Sequence, residues 1–134
     1  MAHSSQHERL VQAIVRWLPA RYGVLSADIL VDGSTSGTRA RPPCVGVFVP
    51  DVFVPALQER PPILGEAKTP LDLETARSVR QLAEFLSWCR PFPGATVVLA
   101  VPWDMVPRGR NLLRHLRTRA QAPQVNIEVL ENLW

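Results

Sequence analysis

From Thr96 to Val101 the chain runs through Val97, Val98, Leu99 and Ala100 without a charge, the mark of a strand covered on both of its faces. Segments of helical period flank it. Before it, Ala76, Val79, Ala83 and Leu86 form a stripe on a helix closed by Pro91 and Pro93, with Glu74, Arg77, Gln81 and Glu84 on the polar side. After it, a basic helix from Arg108 to Arg119 packs through Leu112, Leu113 and Leu116, and Val125 to Leu130 forms a last strand. A doubly covered strand between two helices implies an α/β domain with a mixed central sheet flanked by helices.

The earlier part of the chain supplies the remaining elements. Leu10, Val11, Ile14, Val15, Trp17 and Leu18 recur at helical spacing and predict a helix from His7 to Leu18, stopped by Pro19 and Gly23. Val24 to Val31 alternates as a half-buried strand does. The loop from Asp32 to Pro43 is rich in turn residues, Val45 to Val54 is strand-forming but broken by Pro50, and Ile63 to Lys68 is a short strand. Thr69-Pro70-Leu71-Asp72 carries a cap residue, an early proline and an acid, so the main helix is expected to start there and run to about Cys89. The expected element order is αβββαβαβ, with residues 1–134 forming one domain.

No apolar run approaches the ~20 residues needed to cross a bilayer, and the N-terminus lacks the pattern of a secretory signal, so no membrane association and a cytoplasmic location are expected. Cys44 and Cys89 lack metal-ligand or disulfide-framework spacing and are expected to be reduced and structural. The formal charge of +3 permits an anionic partner. Arginine supplies every cation but one: Lys68 is the only lysine.

That lysine stands two residues after Glu66 at the end of an apolar strand, so the two side chains project from one face while Ala67 points back into the core. Pairing with the chain after Pro50 brings Asp51 alongside. Two carboxylates and an ammonium on one face suit phosphodiester hydrolysis: Asp51 and Glu66, with the backbone carbonyl of Ala67, offer hard oxygen ligands to Mg²⁺ or Mn²⁺, and Lys68 serves the attacking water.

The Pro50-Asp51 and Glu66-Ala67-Lys68 pattern resembles the PD-(D/E)XK nuclease superfamily, and the element order resembles its restriction-endonuclease-like fold. Within it, the chain is most similar to the archaeal-type Holliday-junction resolvases and related small repair nucleases. His7-Glu8-Arg9-Leu10, Ser34-Thr35-Ser36-Gly37 and Arg80-Gln81-Leu82-Ala83-Glu84-Phe85 fit the places of their N-terminal helix, serine-containing loop and following helix. The resemblance implies a Mg²⁺-dependent deoxyribonuclease and a homodimer. Asp51, Glu66 and Lys68 would be catalytic, Gln81 would assist positioning and Glu8 would extend the metal shell. Glu8 also reads as a solvated first-turn acid favoured by the helix dipole, and Gln81 as an exposed residue paired with Glu84 or Arg77.

Ser36, Arg39 and Arg41 on the loop, with Arg77, Arg108 and Arg110 on the helices, are candidate contacts to nucleic acid. His3, His7 and His115 lack ligand spacing and are assigned no catalytic work. The competing reading is a catalytically inactive nucleic-acid-binding or assembly module on the same fold. Junctions, duplex ends, single strands and RNA all remain open as substrates.

Overall fold

A computed structural model of the chain describes residues 5–33, 40–57 and 60–132. Ser36 and Arg39 lie outside the described residues. The chain forms, in order, helix α1 (Ser5–Tyr22), strands β1 (Leu30–Val31), β2 (Val52–Val54) and β3 (Ile63–Ala67), helix α2 (Ala76–Cys89), strand β4 (Thr96–Pro102), helix α3 (Val106–Arg119) and strand β5 (Asn126–Asn132). The five strands make one mixed sheet in the order β1-β2-β3-β4-β5. The first three are antiparallel, and β3, β4 and β5 are parallel.

The handedness of chain connections places the helices. Both parallel crossovers, through α2 and through α3, step the same way across the sheet, so right-handed connections put both helices on one face. On that face Leu82, Phe85, Leu86, Leu113 and Leu116 pack against Leu64, Val97, Leu99 and Val101. Helix α1 covers the other face, where Leu10, Val11, Ile14 and Leu18 meet Val52, Val54, Ile63, Ala67, Val98 and Ala100. Alternate residues of β3 and β4 therefore enter different cores, which is why β4 is apolar from Val97 to Val101 and β3 carries no charge before Glu66. Gly65 allows α1 its close approach: a Cβ there would stand 3.1 Å from both Ile14 Cγ2 and Val52 Cβ.

Several expected boundaries are corrected. Helix α1 passes through Pro19 to Tyr22, forgoing the one N–H bond that Pro19 cannot make to the Val15 carbonyl. Gly23, at φ +67°, ends the helix as its N–H donates to the Pro19 carbonyl (2.9 Å). Of the expected strand Val24–Val31 only Leu30 and Val31 join the sheet, since Ser26–Asp28 close a 3-10 turn. Val45 to Val54 also divides: Val45 and Phe48 bridge across a tight turn, and the ladder starts only at Val52, after Pro50.

The main helix starts at Ala76, not at Thr69. Thr69 closes its own turn, its hydroxyl donating to Asp72 Oδ2 (2.8 Å), and the buried Leu73 anchors that turn in the core. Extended Thr75 then caps α2, accepting from the Ser78 N–H at 3.2 Å. The buried stripe is rotated from the expected one. Ser78, Gln81, Leu82, Phe85, Leu86 and Cys89 face inward, while Ala76 is exposed and Val79 and Ala83 are half-buried. Bulk decides the rotation, because turning Phe85 and Leu82 inward buries far more apolar surface than turning in Ala76 and Ala83.

Candidate active site

Asp51, Glu66, Lys68 and Gln81 are all buried, and they are linked in one continuous chain of contacts where β3 ends. The Asp51 N–H donates to Glu66 Oε1 (3.0 Å), and the Ala67 N–H donates to Asp51 Oδ2 (2.9 Å). Lys68 Nζ lies 3.3 Å from Glu66 Oε2 and donates to Gln81 Oε1 at 2.5 Å. Each position follows from the register. Val52 pairs with Gly65, so the next step sets Asp51 opposite Glu66. Lys68 continues the β3 line, its N–H bonded to the Ala100 carbonyl of β4 (3.0 Å). Gln81 descends from the inward face of α2.

Pro50 has a definite role in this register. One further step sets it opposite Ala67, where the ladder would supply an N–H to the Ala67 carbonyl, and proline has none. Asp51 meanwhile takes the Ala67 N–H through its side chain. The proline thus ends the ladder and leaves the Ala67 carbonyl without its cross-strand donor, beside two carboxylates.

His7 is the residue that sequence reasoning missed. From the first turn of α1, its Nε2–H donates to Asp51 Oδ2 (3.2 Å). Its signal was legible: His7 stands three and four residues before Leu10 and Val11, on the buried stripe of α1. The Asp51 carboxylate holds the His7 imidazole above its usual range, against the opposing pull of burial. Burial, with the Asp51 carboxylate adding to it, pushes the Glu66 carboxyl well above the usual carboxylate range, and the Lys68 ammonium works the other way.

Glu8 is half-buried, and no hydrogen bond or ion pair among the described residues joins it to this cluster. Nor do the described residues gather three or more His, Cys, Asp or Glu side chains into a metal site. The donor set at the end of β3 is therefore Asp51, Glu66 and the Ala67 carbonyl. The buried Asp51 and Glu66 carboxylates disfavour each other's charge, and a hard divalent cation relieves that repulsion. Asp51 Oδ2 is held by two donors, which leaves Oδ1 as its uncommitted oxygen among the described residues. These residues fit such an ion.

The expected nucleic-acid contacts are dispersed. Arg41 is exposed and pairs with Asp32 at 3.0 Å. Arg108 pairs with Glu74 and contacts Met105 Sδ, and Arg110 is exposed on α3. The Arg77 guanidinium lies 5.3 Å over the Phe48 ring. Arg77 lines a groove of about 540 Å³ between the 45–48 turn and α2, with Val47, Phe48, Arg80 and Glu84. The turn leads directly into Asp51, and α2 carries Gln81. No helix among the described residues is long and apolar enough to cross a membrane.

The fold and site together define an α/β domain with a mixed five-stranded sheet and a buried Asp-Glu-Lys cluster at the end of its third strand. Comparison with protein-family models, with curated proteins and with solved structures finds no match.

Proposed function

We propose that this chain is a divalent-cation-dependent nuclease of the PD-(D/E)XK type, with a restriction-endonuclease-like arrangement, hydrolysing phosphodiester bonds in DNA. The observation that carries the reading is the contact of Asp51, Glu66 and Lys68 as one buried cluster at the end of β3. Asp51, Glu66 and the Ala67 carbonyl would hold Mg²⁺ or Mn²⁺. When bound, that ion supplies charge neutralisation and Lewis-acid polarisation of a phosphodiester oxygen.

The chain's own residues do the positioning. His7 and the Ala67 N–H fix Asp51 Oδ2, so its other oxygen points in one direction. Lys68 is held between Glu66 and Gln81, where its ammonium orients the attacking water and offers a proton site beside the reacting phosphate. Gln81 is a positioning residue, acting through Lys68. The groove carrying Arg77 and Arg80 offers cations to the phosphates on either side of the scissile one.

The test is the purified full chain with Mg²⁺ or Mn²⁺ against labelled linear, circular, single-stranded and four-way-junction DNA, and RNA. Strand cleavage abolished by chelator is expected, and Asp51→Asn should remove it. Lys68→Ala should retain nucleic-acid binding while single-turnover cleavage falls by roughly 10²- to 10⁴-fold. Normal cleavage by Lys68→Ala, or binding of the panel without cleavage under either cation, would overturn the nuclease reading in favour of a binding module.

A further inference from the structure

We infer that the free edge of β5 is a self-association surface, at which two copies of the chain pair antiparallel about a two-fold axis through Val129. The inference does not depend on the nuclease reading.

The two edges of the sheet differ. At the β1 edge the strand has two residues, and its Val31 N–H is taken by the Ala40 carbonyl at 3.3 Å. The β5 edge is seven residues long and pairs with β4 alone among the described residues. It contains no proline, and of its two charged residues Glu128 is ion-paired with Arg21 of α1, which leaves Glu131 as the one charge at the edge without an ion pair among the described residues. Ile127, Val129 and Leu130 are only half-buried there, although each packs against a core.

Hydrogen-bond parity fixes which groups are offered. The Asn126 N–H donates to the Ala95 carbonyl on the β4 side (2.8 Å), so Asn126, Glu128 and Leu130 turn their main-chain groups inward. Ile127, Val129 and Glu131 turn theirs to the open edge. An antiparallel partner must set outward residues opposite outward residues. Centring on Val129 satisfies this along the whole strand: Ile127 faces Glu131 of the second copy, Val129 faces Val129, and the three pairs exchange about six main-chain hydrogen bonds.

Side chains agree with that register. Glu128 faces Leu130, so no glutamate stands opposite a glutamate. Centring on Glu128 would set two like charges face to face. A self-complementary strand of this kind favours a closed two-fold pair over an open array.

The experiment measures the mass of the full chain by sedimentation, with two variants. The parent is expected to be a dimer. Val129→Pro removes an outward N–H and no bond to β4, so it should keep the far-ultraviolet circular dichroism while weakening the dimer roughly 30-fold or more. Val129→Cys in a Cys44→Ser background should oxidise to a covalent dimer, since hydrogen-bonded partners stand about 5.5 Å apart at Cα. Ile127→Cys in that background should not, because its partner is Glu131. A monomeric parent, a dimer indifferent to Val129→Pro, or equal cross-linking at 127 and 129 would overturn the inference.

Discussion

Taking an ammonium out of water costs several kcal/mol unless charge and hydrogen bonds replace its hydration, and Lys68 receives both, from Glu66 and from the Gln81 amide. The Glu66 and Lys68 half of that arrangement was legible, because residues two apart on a strand share a face. The other half was reached only through the family resemblance, which implied a positioning role for Gln81: helical periodicity set it on the polar side, and the rotation of α2 around Phe85 turns it inward. His7 was overlooked because a ligand search by spacing ignores a histidine whose partner lies 44 residues away. Its role yields a pH prediction. The folded-state pKa of His7 is raised above 6.5, so the pair's stabilisation is fully present below about pH 6.5 and is lost as pH rises through the folded value. In chelator, His7→Gln should cost about 1–2 kcal/mol on the acid side of that window and little on the alkaline side. Urea unfolding at both pH values checks this, and a penalty of equal size at both would refute it.

At the scale of elements, β4 was readable because a strand buried on both faces is apolar almost throughout, and β3 because it follows the same rule up to Glu66. The start of α2 was misplaced. Thr69-Pro70-Leu71-Asp72 satisfies its own turn locally, and a second threonine six residues later performs the capping. β1 was overestimated because alternation alone cannot distinguish a strand from a 3-10 turn that happens to bury Val24 and Ile29. The contact between α1 and β3 is the tightest test of the layering. In Gly65→Ala the new methyl is hemmed in by the fully buried Ile14 and by a backbone-anchored Val52 atom, so neither neighbour can yield cheaply. A loss of about 1–3 kcal/mol is expected, measurable by denaturant unfolding. An unchanged midpoint would show that α1 can lift from the sheet.

At the scale of the whole molecule, the two sheet faces carry separate cores, and the two cysteines report on this partition. Cys44 is exposed, contrary to the structural role expected of it. Cys89 closes α2 inside the core between α2 and the sheet, where burial pushes its thiol up to about 12. A thiol-specific disulfide reagent should label Cys44 at once. Cys89 should react only through unfolding, roughly 10³-fold more slowly or beyond for a domain of ordinary stability; rapid labelling of both would contradict the packing. The sequence by itself determined the α/β class with its mixed sheet, and it put forward the Asp51, Glu66 and Lys68 candidates. These rest on local periodicity and on spacings of a few residues, which any folded form must honour. Only the tertiary structure decided that His7 and Gln81 join that cluster, that Pro50 stands across from Ala67, and that β5 is left with an open edge. Those facts depend on register and helix rotation, which are fixed when distant residues compete to fill the same space.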